Sequence, residues 1–373
     1  MLSEGRVPRG PDSEIQSRNG GSGNSPLRDF DSLALELFGL QFKHNAVYRK
    51  ICEARRITPN IVEHWTQIPA VPTAAFKEFE LSCIPPDERT TVFHSSGTTE
   101  QKPSRHYHNA ESLKIYEASL LPWFLENVLP DLRFTIYDLR LVCLTPPPEQ
   151  APHSSLVHMF EVVRSRTCES AGRSFFGTVA TEGSWTLDFP AALVALNSSR
   201  VTRYPSLLLG TAFSFVHLLD YLGEKNLRFN LPAGSRVLET GGYKNRSRSM
   251  PKAELHALIT ERLGVPPENI ICEYGMSELS SQAYDSAFYH PTSIVHHRVF
   301  CFPPWSRVQI ISPETECEAA DGEAGLIRVF DLANVFSVMA IQTDDLAVHR
   351  GDGFELVGRA QLVEPRGCSL MTI

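Results

Sequence analysis

The sequence predicts an α/β fold that ends in a β-rich region, and two observations carry that reading. Through the middle of the chain, short apolar runs stopped by proline or glycine alternate with segments of helical periodicity, the pattern of layered helices and strands. Roughly the last 75 residues instead hold strand-like runs joined by turn chemistry. The chain divides accordingly into a disordered tail over residues 1–28, an α/β core over 29–297 and a β-rich subdomain over 298–373.

The tail lacks hydrophobic periodicity and is rich in Gly, Ser, Arg, Asp and Pro. From Asp29 the pattern turns helical, with Phe30, Leu33, Leu37 and Leu40 at three- and four-residue steps. A second helical run spans Glu111 to Asn127. Arg140 to Thr145 reads as a buried strand stopped by Pro146, Pro147 and Pro148, and Ser235 to Leu238 as another, ended by Gly241 and Gly242. Pro251 to Leu263 predicts a helix: Leu255, Leu258, Ile259 and Leu263 share a face, Pro251 opens it and Gly264 caps it. The β-rich end consists of Arg307–Ile311, Leu326–Phe330, Val335–Ile341 and Phe354–Val357, with turns at Asp321-Gly322 and Asp352-Gly353. Tyr204 to Leu222 is nearly long enough to span a bilayer, but Pro205, Gly210, His217 and Asp220 break it into a strand, a turn and a helix.

At 373 residues with 42% hydrophobic and 21% charged side chains, the chain has ordinary globular composition and enough length for a large core. A formal net charge of −8 argues against a general nucleic-acid binder, which neutralises phosphates with Lys and Arg. The eight cysteines are scattered with no C-x-x-C spacing, so neither a zinc ribbon nor a dithiol motif is indicated. With no signal-peptide pattern and no membrane span, reduced thiols and a cytoplasmic location are expected.

Five local features could carry chemistry. Thr91 to His94, a strand-forming run, empties into Ser95-Ser96-Gly97-Thr98-Thr99, where hydroxyls and exposed N–H groups suit phosphate oxygens. The second glycine and the Gly-Lys-Ser/Thr ending of a Walker A loop are missing, and an isolated loop of this kind reads more readily as a polar surface turn. Glu239-Thr240-Gly241-Gly242 follows a strand, where ligands approach α/β sheets; Lys244, Arg246 and Arg248 come next. Cys272-Glu273-Tyr274-Gly275-Met276-Ser277-Glu278 offers an aromatic ring, a hydroxyl and a carboxylate able to stack on a base, touch phosphate and bind magnesium. Thr343-Asp344-Asp345, expected just after an apolar strand, could grip sugar hydroxyls. Gly358-Arg359 and Arg366-Gly367-Cys368 close the chain.

In this order the features resemble the adenylate-forming superfamily of acyl-CoA synthetases, firefly luciferase and peptide-synthetase adenylation domains. A narrower resemblance is to the acyl-protein synthetase family of bacterial bioluminescence, related to phenylacetate–CoA ligases. It rests on Ile68-Pro69-Ala70-Val71-Pro72-Thr73, Phe76-Lys77, Phe93 with the Ser-Ser-Gly-Thr-Thr loop, Ser154-Ser155-Leu156 with Met159, the Thr-Gly-Gly turn and the closing Arg-Gly-Cys-Ser-Leu, and it covers roughly residues 29 to 373.

The resemblance implies an adenylate-forming N-terminal-domain architecture acting as an acid–thiol ligase, with ATP and Mg2+ as cofactors. Ser95, Ser96, Gly97, Thr98 and Thr99 would hold the ATP phosphates. Gly241 and Gly242 would flank adenine, Tyr274 would stack on it, and Ser277 would touch the α-phosphate. Glu278 would bind magnesium, Asp345 the ribose and Arg359 the ribose or phosphate. Cys368 would accept the acyl group as a thioester, with Arg366 close by to favour the thiolate and Glu364 opposing it. Departures from the family pattern are Glu100 in place of Gly, Ser277 in place of Thr, and Asp344 in place of the Gly of T-G-D; the first and last add negative charge beside anion sites.

The implied activity is ATP-dependent conversion of a carboxylic acid, fatty by the resemblance, to acyl-AMP, followed by transfer to the protein's own thiol. An acyl reductase or acyltransferase partner would then take the group. Two alternatives remain at this stage: transfer to CoA, and a non-catalytic nucleotide- or acyl-binding partner. A serine hydrolase is disfavoured because no G-x-S-x-G occurs. Superfamily members carry a further mobile C-terminal domain with an adenylation lysine; only 14 residues follow Arg359, so this domain is expected to be lacking, with Cys368 replacing the external acceptor.

Overall fold

The apolar run from Tyr204 to Leu222 divides where the sequence changes period. Ser206–Thr211 is a strand, buried at every position but its last, and Ala212–Glu224 is a helix. Thr211 makes the switch: its hydroxyl accepts from the Ser214 N–H at 3.0 Å, and the Ser214 hydroxyl accepts from the Thr211 N–H at 2.9 Å, a reciprocal cap. Among the described residues no helix is long and apolar enough to cross a membrane.

A computed structural model describes residues 29–95, 102–130, 139–167, 172–181, 183–241, 250–285 and 298–359. These run α1 (Phe30–His44), α2 (Ala46–Ala54), β1 (Val71–Pro72), α3 (Ala75–Glu78), β2 (Thr91–His94), β3 (Arg105–His108), α4 (Ala110–Val128), β4 (Arg140–Cys143), α5 (Ser155–Thr167), β5 (Gly177–Val179), β6 (Trp185–Leu187), α6 (Phe189–Thr202), β7 (Ser206–Thr211), α7 (Ala212–Glu224), β8 (Arg236–Thr240), α8 (Lys252–Leu263), β9 (Ile270–Tyr274), β10 (Ala283–Asp285), β11 (Phe300–Cys301), β12 (Ser306–Ile311), β13 (Ala324–Asp331), β14 (Ala340–Arg350) and β15 (Gly353–Arg359). Residues 1–28 lie outside the described part.

One large sheet has the order β12-β13-β14-β15-β11-β10-β9-β8-β7-β4, with β1 paired alongside β14. The strands β4, β7, β8 and β9 are parallel neighbours, and the order turns antiparallel at β10. Each parallel strand is covered on both faces, which is why these segments read as unbroken apolar runs. Leu207 and Leu209 of β7 join Leu238 and Ile271 under α4 and α5, whereas Leu208 joins Val237 and Ile270 under α6, α7 and α8. At the antiparallel end, Ala34, Leu37, Phe38, Tyr48 and Cys52 of α1 and α2 pack on Ile310, Ile327, Val329, Phe330 and Ile341.

Several sequence expectations shift in detail. The buried stripe of α1 is Ala34, Leu37, Phe38 and Gln41, while Leu33 and Leu40 face outward. Of the expected strand Val335–Ile341 only the end is strand, because a buried side chain on α1 captures the backbone before it. Gln41 Nε2 donates to the carbonyls of Asn334 (2.8 Å) and Val335 (3.1 Å), and Gln41 Oε1 accepts from the Met339 N–H (3.0 Å). Thr343-Asp344-Asp345 is not beyond a strand but within β14, which runs on to Arg350 to pair with β15. Gly264 does cap α8 in the left-handed region, at φ 71°.

The β14–β15 turn is Gly351-Asp352, with Gly351 at φ 58°, one residue earlier than expected; Gly353 already pairs in the sheet. A Cβ on Gly353 would run into the Phe300 carbonyl of β11. Gly353→Ala should therefore cost about 1–3 kcal/mol. Gly39, inside α1 with nothing within 4 Å of an added Cβ, should respond oppositely, Gly39→Ala gaining about 0.5–1 kcal/mol. Denaturant unfolding of the two variants checks both; equal stabilities would contradict this packing.

Candidate active site

The strands β8 and β9 run parallel with Thr240 opposite Glu273, so the Gly241 turn and the Tyr274-Gly275 turn leave the sheet side by side at its carboxyl end. A short hydrogen bond from the Thr240 hydroxyl to the Glu273 carboxylate ties their roots together. Burial pushes the Glu273 carboxyl up to about 7, against the Thr240 bond that lowers it. A Cβ at Gly275 would overlap Glu273 Oε1, so a larger residue there would have to displace the carboxylate that Thr240 holds. Gly241 adopts φ 73°, and among the described residues nothing lies within 4 Å of a Cβ added there.

Three residues read from separate motifs meet beside these turns. The Tyr274 hydroxyl donates to Asp345 Oδ2 at 3.0 Å, and Arg359 Nε donates to Asp345 Oδ1 at 3.0 Å. Asp345 and Arg359 are cross-strand partners on β14 and β15, an arrangement that opposite charges stabilise. The Tyr274 ring is held edge-on by Phe354 (5.4 Å), Phe300 (6.1 Å) and Phe302 (6.2 Å). Burial, and then the Asp345 charge, raise the Tyr274 hydroxyl well above its usual range, so it stays a donor at neutral pH. Asp345 is half-buried and each of its oxygens has a second lone pair, which leaves acceptor capacity for a sugar hydroxyl. Arg359 is exposed, with a side chain 75% accessible, and can turn toward an anion.

On the continuation of the β9 turn, Ser277 and Glu278 are nearly buried, and the Ser277 hydroxyl donates to Glu278 Oε2 at 2.9 Å. The Ser277 carbonyl is held by His106 Nδ1 at 2.9 Å. Burial lowers His106 to about 4, so its ring is neutral at pH 7 and its Nδ1 carries the proton donated to that carbonyl. His106 sits on β3 opposite Phe93 of β2, and the same hairpin carries Ser95. Ser95 closes the neck of its loop: its hydroxyl accepts from the Ser104 N–H at 2.9 Å and its N–H donates to the Ser104 carbonyl at 3.3 Å. The neck, Ser277 and Glu278 are thereby linked through one histidine. Ser96, Gly97, Thr98, Thr99, Gly242 and Cys368 lie outside the described residues.

Beyond Glu278 a buried polar network fixes the turn. Asn334 Nδ2 donates to the Glu278 carbonyl at 3.0 Å, and Asp331 Oδ2 accepts from the N–H groups of Ser280 (2.9 Å) and Ser281 (2.8 Å). Burial raises Asp331, while these bonds and those from the Ser281 and Ser306 hydroxyls lower it. Sequence reasoning missed Asp331, Asn334 and the positioning role of His106. The available signals were an acid closing an apolar strand (Leu326 to Asp331) and the inward alternation of His106 and His108.

The residues present fit a divalent cation and a nucleotide. Glu278 offers a hard carboxylate and, among the described residues, has no cationic partner of its own; its only side-chain bond there is from Ser277. The pair Asp345 and Arg359 presents an acceptor and a cation beside an aromatic ring, the groups that a ribose, a phosphate and a base require.

A family model described as "Acyl-protein synthetase, LuxE" matches residues 22–372. The chain is 23% identical over 361 residues to the long-chain-fatty-acid–luciferin-component ligase of Aliivibrio fischeri, covering 91% of this chain and 86% of that protein. The Vibrio harveyi protein of the same description is 23% identical over 346 residues, covering 88% and 83%. Among solved structures, 2-hydroxyisobutyryl-CoA ligase in an open conformation with 2-HIB-AMP and CoA superposes with a TM-score of 0.60 at 14% identity, over 88% of this chain and 73% of that one. The same ligase in its thioesterification state gives 0.61 at 16% identity, covering 88% and 68%. The fold is therefore that of the adenylate-forming ligases, and the chain spans about two thirds to three quarters of the length of these structures.

The histidine pair on β3 makes stability pH-dependent. Burial holds His106 at about 4 and His108 at about 2, below the ~6.5 of an unfolded chain. Below that value the unfolded state binds more protons, so their stabilisation falls as pH drops, His106's share being exhausted near 4. His106→Asn keeps a donor for the Ser277 carbonyl but cannot protonate. Its denaturation midpoint should fall less between pH 7 and 4.5 than the parent's; identical pH slopes would contradict the assignment.

Proposed function

Because the chain belongs to the acyl-protein synthetase (LuxE) family, we propose that it activates a long-chain fatty acid as its adenylate and then receives the acyl group on Cys368. The observation that carries this reading is the meeting of Tyr274, Asp345 and Arg359, from three separate stretches of sequence, next to the Gly241 turn. The acid class follows the description of the Aliivibrio fischeri and Vibrio harveyi relatives, which are long-chain-fatty-acid ligases.

The chemistry follows from positioning and charge. A fatty carboxylate oxygen attacks the α-phosphorus of ATP; a new P–O bond forms, the bond to the β-phosphate breaks, and pyrophosphate leaves with the electron pair. Tyr274 and the Gly241-Gly242 turn hold the base, Asp345 accepts from the ribose hydroxyls, and Arg359 faces the ribose or the α-phosphate. The hydroxyls and N–H groups from Ser95 to Thr99 bind the departing phosphates, and Ser277 donates to the α-phosphate. Glu278 would hold magnesium, which when bound would neutralise charge on the phosphate oxygens. The neutral His106 keeps Ser277 and Glu278 in register with the loop neck. In the second half, the Cys368 thiolate attacks the acyl carbon of the mixed anhydride, a thioester forms and AMP leaves. An acyl reductase or acyltransferase would then draw the acyl group from the thioester.

Fatty-acid-dependent ATP–pyrophosphate exchange tests the first half. Asp345→Ala removes charged hydrogen bonds worth about 1.5–3 kcal/mol, so the KM for ATP should rise at least ~10-fold, and Glu278→Gln should lower kcat about 100-fold. Absence of exchange across acids of graded chain length would exclude adenylation. For the second half, Cys368→Ser should keep exchange and lose the hydroxylamine-labile acyl label. A label that persists in Cys368→Ser, or acyl-CoA formed faster than the label, would overturn the acceptor assignment.

A further inference from the structure

Behind the two turns lies a cluster that the adenylation chemistry does not use. Glu239 of β8, His256 of α8 and Cys272 of β9 each place one ligand atom within 4.8 Å of the other two, and all three residues are buried. Glu239 Oε1 is 3.3 Å from His256 Nε2, Cys272 Sγ is 3.7 Å from that nitrogen, and the thiol donates to Glu239 Oε1 at 2.9 Å. A tetrahedral zinc with bonds of about 2.0 Å to N and O and 2.3 Å to S places its ligand atoms roughly 3.3–3.6 Å apart, close to this triangle. Among the described residues Glu239 Oε2 is buried without a hydrogen-bond partner, an unusual state for a carboxylate that a cation would relieve.

The geometry points to a zinc-type transition-metal site formed by Glu239, His256 and Cys272. An imidazole, a thiolate and a carboxylate are the donor set that zinc favours over magnesium or calcium. Binding releases the Cys272 proton to solvent and breaks the thiol–carboxylate hydrogen bond; the second Glu239 oxygen or a water completes the four-coordinate shell. Among the described residues two cations lie nearby, and both can be accommodated. Lys252 Nζ is 3.2 Å from Glu239 Oε1, but its side chain is 45% exposed and can withdraw along the face of Phe300, which it already overlies. Arg298 Nη1 is 3.6 Å from Cys272 Sγ, yet is satisfied by Asp285 Oδ2 at 2.9 Å and the Ile270 carbonyl at 2.8 Å.

The position gives the metal a structural task. Glu239 precedes Gly241 by two residues and Cys272 precedes Tyr274 by two, so the metal ties β8, β9 and α8 together at the roots of both turns. It is distinct from a cation on Glu278.

The test uses the full chain, stripped with a chelator and titrated with Zn2+ and with Co2+ as a spectroscopic probe. One equivalent of Zn2+ should bind and raise Tm, and Co2+ should give tetrahedral visible bands with a near-ultraviolet thiolate charge-transfer band that Zn2+ abolishes. Cys272→Ser should lose the charge-transfer band, His256→Gln should weaken metal binding by more than the roughly 100-fold upper end seen for residues that only orient a ligand, and Cys301→Ser, outside the cluster, should leave both unchanged. No stoichiometric binding, or a band that survives in Cys272→Ser, overturns the site. If Cys272→Ser does not fold, X-ray absorption on the parent's cobalt form decides: one sulfur in the shell supports the site, none or several refutes it.

Discussion

The parallel strands β7, β8 and β9 are buried on both faces, and that burial constrains where polar chemistry can occur in this protein. A strand covered by helices above and below has no exposed side chains along its length, so reactive groups must gather where the strands end. The register Thr240 opposite Glu273 then sets the two turns level with each other. Had β9 slipped by one residue against β8, Cys272 and Tyr274 would have changed faces, and Glu239 and Asp345 would have lost their partners.

The antiparallel half of the sheet supplies what the parallel half lacks. Asp345 and Arg359 come from paired strands far along the chain and reach Tyr274 because β15, β11 and β10 lie between β14 and β9. Rigid polar anchors hold the connecting segments. Asp331 collects backbone and hydroxyl donors around Ser280 and Ser281, Asn334 holds the Glu278 carbonyl, and Gln41 pins the segment after β13 from α1. Each of these groups is buried and satisfied, and a fully satisfied buried network specifies one arrangement of its loops.

Local signals in the sequence were largely reliable. The division of Tyr204–Leu222 and the α8 helix with its Gly264 cap follow from residue order over short spans. What escaped was non-local. His106 acquires its partner 171 residues away, and no periodicity reports such a contact. Val335, Phe336 and Val338 look like strand because they are apolar, but Gln41 takes the hydrogen bonds that a strand would need. The true extent of β14 depends on its pairing with β15, which also moved the turn from Asp352-Gly353 to Gly351-Asp352. The grouping of Glu239, His256 and Cys272 likewise arises from two strands and a helix brought together by the βαβ crossover.

The central claim is that the two turns and the Tyr274–Asp345–Arg359 group form one nucleotide site. A crystal structure with a non-hydrolysable acyl-adenylate mimic tests it most directly. The adenine is expected between the Gly241-Gly242 turn and Tyr274, the ribose hydroxyls on Asp345, and the acyl-phosphate mimic beside Ser277. A mimic bound elsewhere, with Asp345 still closed on Tyr274 and Arg359 and no contact to the nucleoside, would contradict it.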